Sequence, residues 1–347
     1  MAKKITIGII YSYDENWIGG TYYIENLVNS FSLLRKALQP TVWLFNYSSL
    51  SEDQVRDRFN YQDILIINVP PYTWWRKLLV RMSRIFKFFT FFLYGRPNQL
   101  DLTFPNPYLE AHDLCKRRVY WVPDMQEAFL PELFGEVEIA RRRDFHLNLI
   151  ENNLPIVFSS QCALKDFENH YNKPNVMAFR LPFAVTLPMG DGALELTSLR
   201  KEFNLGGAPY FICSNQFWKH KNHTLVLEAM AILSEEFPTL IMVFTGQPRD
   251  TRNLEYYASL QDLVRELKLQ KNVRFLGFID RKAQLSLMKY AKAVVQPSLF
   301  EGWSTVVEDA KALNKEIILS DIPVHREQLS DDELFSIQWI KIHYHWP

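Results

Sequence analysis

The chain has little that would serve a metal centre, a disulfide framework or a membrane span. Its 347 residues include only three cysteines, Cys115, Cys162 and Cys213. They are far apart and odd in number, without the paired spacing of a zinc site or a set of bridges. The eight histidines form no HxxxH pattern, so no metal is expected. No apolar run approaches the ~20 residues needed to cross a bilayer, and the first residues run into strand-like alternation without a cleavable small-residue site. A reducing, cytoplasmic setting is the expectation. Net charge is missing too: Lys plus Arg and Asp plus Glu both number 39. No global field therefore draws the chain to nucleic acid, and any basic surface is local.

What is present is apolar material in quantity. Hydrophobic residues make up 48% of the chain, enough to offset chain entropy in a packed core. The length exceeds the roughly 250 to 300 residues that one core usually supports. Short β-branched or aromatic runs alternate with amphipathic stretches, the mark of parallel sheets covered by helices. Strands are expected over 5–11, 41–46, 64–69, 118–122, 156–159 and 176–179, with helices over 21–38, 136–152 and 163–171. The pattern lapses through Pro182, Pro188, Gly190, Gly192, Gly206, Gly207 and Pro209, as an interdomain connection would. A second series follows, with strands over 210–214, 240–245, 273–276, 293–296 and 316–320 and helices over 223–236, 254–267, 281–290 and 305–313. The expected fold class is α/β, with two Rossmann-like domains facing a cleft: 1–185, a connection over 186–208, and 209–347.

Five stretches carry candidate chemistry. Gln296-Pro-Ser-Leu-Phe-Glu-Gly-Trp-Ser-Thr305 leaves a buried strand, turns at Gly302 and enters a helix. The amides of Trp303, Ser304 and Thr305 would be unpaired helix N-terminal donors, suited to a diphosphate. Glu301 stands at the strand end, and Asp309 two turns along the helix. Simple complementation of the helix dipole is the alternative. Ser214-Asn-Gln-Phe-Trp-Lys-His-Lys-Asn-His223 follows the first strand of the second series, where an open α/β sheet borders its ligand crevice; a solvated basic loop is the alternative. In Phe275-Leu-Gly-Phe-Ile-Asp280, Gly277 would let backbone approach a flat ring, or the stretch is a plain turn with Asp280 as N-cap. In Trp17-Ile-Gly-Gly-Thr-Tyr-Tyr23 the paired glycines permit close approach by a phosphate, or merely a tight turn. Tyr120-Trp-Val-Pro-Asp-Met-Gln-Glu127 sets Asp124 and Glu127 beyond a strand end, as an acceptor-side base, an orienting carboxylate or an N-cap.

The stretch from Glu301 resembles the family-4 retaining glycosyltransferases of GT-B architecture, whose signature pairs two acidic residues separated by seven others and followed by alanine. Glu301 and Asp309 match that spacing, with aspartate where glutamate is usual and Glu308 as its possible substitute. Lys221 matches the family's lysine; Gln216 stands at its arginine position, with Lys219 or a nearby histidine as replacement. The resemblance covers 5 to about 328 and implies a glycosyltransferase that moves a sugar from a nucleotide-sugar donor to a glycan, lipid-linked or small-molecule acceptor, with retention and without a metal or other cofactor. It implies catalytic roles for Glu301 and Lys221; Asp124 is a catalytic candidate by its place beyond the strand end, in a loop where the family often has a histidine that this sequence lacks. It also implies donor contacts by Gly19, Gly20, Asn215, Gln216, Lys219, Gly277, Phe278, Ile279, Gly302, Trp303, Ser304, Thr305 and Asp309. An epimerase-like enzyme of the same architecture and a sugar-nucleotide-binding homologue without turnover stay open as alternatives.

Two further stretches complete the reading. Residues 71–96 hold six basic and no acidic residues. On a helix, Trp75, Leu79, Met82, Phe86 and Phe89 share one face and Lys77, Arg81, Arg84 and Lys87 lie roughly opposite. That pattern suits peripheral contact with the inner face of a membrane through 72–95, or a helix buried on the first sheet. Beyond Gln328 the family continues with a strand and a terminal crossing helix. Here 334–347 is a short aromatic and β-branched run, so the second domain is expected to be incomplete at its end or to finish on an edge strand.

Overall fold

The computed structural model describes residues 4–69, 100–106, 115, 117–187, 193–250, 252–329 and 338–340. The chain divides into two compact units, the first comprising Met1–Met125 and Glu136–Thr186, the second Gln126–Gly135 and Leu187–Pro347.

In the first unit, β1 (Thr6–Tyr11), β2 (Thr41–Asn46), β3 (Ile64–Asn68), β4 (Leu102–Asn106), β5 (Arg118–Val122), β6 (Ile156–Phe158) and β7 (Ala178–Arg180) form one sheet in the order β3-β2-β1-β4-β5-β6-β7. Every pairing is parallel. Alternate residues Ile9, Tyr11, Val42 and Leu44 pack with Tyr23, Ile24 and Val28 of the helix Ile18–Ser30, as a period of two on a strand requires. That helix is shorter than the 21–38 expected: after Ser30 the chain passes through two 3-10 turns, Phe31–Leu33 and Lys36–Leu38. The central strand β4 went unread. Pro105 lies inside it, at a place where the β4–β5 register shifts, and a proline within a run argues against a strand unless an irregularity absorbs its missing donor.

The second unit repeats the plan. β8 (Tyr210–Ser214), β9 (Ile241–Thr245), β10 (Val273–Phe275), β11 (Val294–Gln296), β12 (Ile317–Ser320) and β13 (Gln338–Ile340) run parallel in the order β10-β9-β8-β11-β12-β13. Strands β8, β9, β11 and β12 are buried on both faces, which is why they read as continuous apolar runs. Ile212, Ile241 and Val243 face the helices Leu196–Glu202, Arg281–Tyr290 and Thr305–Ala312. Their sequence neighbours Cys213, Met242 and Phe244 face His223–Glu236 and Tyr256–Glu266.

Two expected boundaries move. Residues 193–208, read as connection, include the helix Leu196–Glu202, whose Leu199 is fully buried in the second core; its apolar content was masked by the neighbouring glycines and prolines. The segment Gln126–Gly135, read as part of the first domain, belongs to the second unit. At the far end, Gln338–Ile340 pairs in parallel with β12 as the sixth strand. The basic aromatic stretch over 72–95 lies outside the described residues, as do 330–337 and 341–347. Among the described residues no helix is long and apolar enough to cross a membrane.

Candidate functional site

Strand order dictates where a site can form in the second unit. β8 sits between β9 and β11, so the connections leaving β8 and β11 depart to opposite sides and leave a crevice at their carboxyl ends. The two most informative stretches of sequence emerge there. Asn215, at the end of β8, donates from Nδ2 to Gln296 Oε1 at the end of β11, 2.8 Å away. The loops are joined again by Leu299 N–H donating to His220 O at 2.8 Å.

Glu301 is the focus of this arrangement. Its Oε1 accepts from Lys221 Nζ at 2.6 Å, Gln296 Nε2 at 2.7 Å and Ser298 Oγ at 2.7 Å. Among the described residues Oε2 makes no hydrogen bond, although the side chain is only 7% exposed and that of Lys221 12%. One carboxylate oxygen is thus anchored by three donors, and the other keeps its acceptor capacity. Two of the anchoring donors, Gln296 and Ser298, escape motif reading; the one signal is an amide side chain ending a fully buried strand, since buried polar groups need partners.

The start of the next helix is partly closed. Ser304 caps it, its hydroxyl accepting from Val307 N, while Ser304 N–H donates to Gln328 Oε1 at 3.1 Å. The three free amides expected here reduce to two: Trp303 and Thr305 have no backbone acceptor among the described residues. Among the described residues Trp303 also carries a buried indole N–H without a partner. These donors, the dipole of the helix Thr305–Ala312 and Gly302 beside them can receive an anion.

Asp309 occupies a different position from a free ribose acceptor. It is 1% exposed and bidentate with Arg281, at 2.6 and 2.5 Å. Arg281 opens the helix Arg281–Tyr290, where Asp280 caps by accepting from Ala283 N at 3.0 Å. Sequence reading missed Arg281. Glu308 accepts from Gln328 Nε2 at 3.0 Å. Gln216 is buried and accepts Gln247 N–H at 2.6 Å, and Lys219 is exposed. Gly277 has φ +70 and open space over its Cα, followed by half-buried Phe278 and Ile279; Gly277 O accepts from Gly246 N at 2.9 Å.

Arg252 was also missed. Its guanidinium donates to Gln126 Oε1 at 3.3 Å and lies 4.8 Å from the Trp218 ring and 5.3 Å from Phe134. With Phe129 against Phe300 at 5.4 Å, it ties Gln126–Gly135 to the second unit. Burial holds the His220 and His325 imidazoles below their ordinary range and lowers His223 to about 3. The same cause pushes the Cys213 thiol up to about 12. Among the described residues no group of three His, Cys, Asp or Glu is placed to hold a metal ion.

The first unit holds the remaining candidates. Gly19 and Gly20 lie inside the first turn of Ile18–Ser30 rather than in a loop before it, and they differ. A Cβ on Gly20 would lie 2.6 Å from the Trp17 ring, whereas Gly19 has open space. Only Gly19 leaves its backbone accessible. Asp124 follows β5, and its charge, after burial, helps push Asp166 up to about 6. Glu127 is buried within the second unit.

With that geometry in place, residues 197–340 match the sequence family described as Glycosyl transferases group 1. The O-antigen chain mannosyltransferase RfbU of Salmonella typhimurium is 30% identical over 126 residues, 36% of this chain and 33% of its own. The chain therefore matches about a third of that relative's length. Among solved structures, a glycosyltransferase from Rickettsia africae aligns over 98% of this chain and 85% of its own, with a TM-score of 0.64 at 13% identity. The Anabaena protein HepE, solved in complex with UDP and glucose, aligns over 94% and 83%, with a TM-score of 0.64 at 13% identity. The fold is that of the GT-B glycosyltransferases, and residues 197–340 carry the sequence pattern of the group 1 glycosyl transferases.

Proposed function

We propose that the protein is a glycosyltransferase that takes a sugar from a nucleotide-sugar donor held by its second unit. One observation carries this reading: a carboxylate with Oε1 fixed by three donors and Oε2 unengaged, at the sheet's switch point and just before the unpaired amides of Trp303 and Thr305. Oε2 of Glu301 accepts from a hydroxyl of the donor sugar. The amides, the Trp303 indole and the Lys221 ammonium face the diphosphate.

As the anomeric carbon–oxygen bond breaks, its electron pair passes to the phosphate oxygen, and the new bond forms to an acceptor hydroxyl whose proton leaves with that phosphate or to solvent. Charge develops on the diphosphate, where fixed donors are worth several kcal/mol. No metal is invoked. The spacing of Glu301 and Asp309 supports assignment to the retaining family 4. Asn215, Gln216, Lys219, Gly277, Phe278, Ile279, Gly302, Ser304 and Asp309 complete the donor site, with Asp309 holding the ribose once its pair with Arg281 yields. In the first unit Gly19, with open space over its Cα, stays a candidate while Gly20 is closed by Trp17, and Asp124 is proposed to orient the acceptor. The RfbU and HepE likenesses favour a hexose donor and a polysaccharide or lipid-linked acceptor, and 72–95 is proposed as an inner-membrane contact.

A sugar-nucleotide-binding protein without turnover is the competing reading. It is favoured by Gln216 standing where a cation is usual and by Asp309 being closed on Arg281. A panel of UDP- and GDP-sugars, scored by thermal shift and by nucleotide release with and without acceptor lipid, decides. At least one donor should raise Tm and be consumed; binding without consumption selects the competing reading, and no shift from any donor rejects both.

A further inference from the structure

Behind Glu301 a second layer of hydrogen bonds leads to the loop after β12. Ser298, which donates to Glu301 Oε1, has its own carbonyl held by Ser320 Oγ at 2.6 Å. Ser320 in turn meets His325: the ring's Nδ1 lies 2.9 Å from Ser320 O and 3.2 Å from Ser320 Oγ. A carbonyl oxygen only accepts, so Nδ1 carries the proton and Nε2 has the lone pair. Among the described residues Nε2 is buried without a partner, and His325 is fully buried. Pro323 opens the short helix Pro323–Gln328 that presents His325, and Gln328 at its end holds Ser304. One short helix therefore touches the supports of both Glu301 and the anion-binding turn.

We propose that His325 is a positioning residue for Glu301, its Nδ1–H fixing Ser320, which fixes the Ser298 backbone and so the hydroxyl that anchors Glu301 Oε1. The inference rests on the reading of Glu301 as the sugar-holding carboxylate. A histidine kept only for packing would need neither the tautomer nor the two serines. Without the Nδ1 donor, Ser320 loses the ring and keeps the Ile322 N–H at 3.0 Å on its carbonyl, so its hydroxyl support of Ser298 loosens and Glu301 is free to turn Oε2 toward Lys221. Positioning errors of this kind lower turnover more than they lower affinity for parts of the substrate Glu301 does not touch.

Two substitutions of similar polarity separate the possibilities. In His325→Asn the amide N–H takes the place of Nδ1–H; in His325→Gln the amide reaches instead toward the Nε2 position. Turnover is measured with whichever of UDP-glucose and GDP-mannose the wild type consumes faster, and the dissociation constants of UDP and GDP alone are measured beside it. His325→Asn should stay within threefold of wild-type kcat and His325→Gln should fall at least tenfold, with nucleoside diphosphate affinity within twofold in both. In a Glu301→Gln background, the Gln and Asn variants should differ by less than twofold. Equal kcat for the two variants, or an equal loss in both backgrounds, overturns the proposal while leaving the role of Glu301 standing. Full activity of Glu301→Gln, or no turnover of either donor by the wild type, overturns the functional reading and this inference with it.

Discussion

Lys221 and Glu301 stand 80 residues apart in sequence and meet at 2.6 Å, each presented by a loop leaving one of two adjacent strands, β8 and β11. Strand order alone makes this meeting possible, because β11 inserts beside β8 rather than beside β10. The consequence is a nearly buried charge pair in which the carboxylate uses one oxygen and keeps the other. A pair with both oxygens satisfied would be closed; this one keeps an acceptor oxygen in reserve.

The loops that carry the pair depend on a glycine. Gly246 has φ +142, and a Cβ there would lie 2.0 Å from the Asn215 carbonyl oxygen, so neither the backbone conformation nor the space admits a side chain. Gly246→Ala should cost at least about 2 kcal/mol in a urea unfolding titration. Gly207→Ala, where nothing lies within 4 Å, should stay within about 1 kcal/mol of wild type. Equal effects at the two positions would contradict the packing described.

Asp309 and Arg281 test a different kind of contact. Because Asp309 is 1% exposed, removing its partner leaves an uncompensated buried charge. Arg281→Met should therefore destabilise by about 3–5 kcal/mol, and Arg281→Met with Asp309→Leu should regain most of it. A loss under about 1 kcal/mol for the single variant would show that the pair is as dispensable as a surface one.

How much of this was readable beforehand varies by level. The helices His223–Glu236 and Arg281–Tyr290 have the bounds expected; for the second, the Asp280 cap is a local signal. β4 was hidden by Pro105, whose cost the irregular β4–β5 pairing absorbs. The acidic residue at 301 and the lysine at 221 were legible through the resemblance to the glycosyltransferase signature. Their support was not: Gln296, Ser298, Ser320 and His325 converge only after three strands pair, and nothing in local sequence announces that. Arg252 and the segment Gln126–Gly135 were unreadable for the same reason, their association being tertiary throughout.

Acid sensitivity follows from buried imidazoles. Burial, followed by the charges of Arg142 and His170, lowers His146 from 6.5 to about 3, and the ring packs against Phe167 and Tyr171 with Nδ1 3.1 Å from the Tyr171 hydroxyl. The folded pKa lies below the unfolded one, so the unfolded chain binds the extra proton. Stability is complete above about pH 6.5 and is lost as pH falls toward 3, by up to about 1.4 kcal/mol per pH unit from this group. His146→Leu removes that term. The wild-type minus variant difference in unfolding free energy should decline as pH drops from 6 to 4, and a difference constant across that range would contradict the burial argument.

On the proposed function, Glu301 and Lys221 serve donor turnover rather than the fold. Nucleotide release from the preferred donor, followed in purified wild type, Glu301→Gln and Lys221→Ala with Tm recorded for each, tests it most directly. Turnover should fall at least tenfold in each variant, about 1.4 kcal/mol in barrier, with both proteins folded at the assay temperature. Wild-type turnover in two folded variants would contradict it.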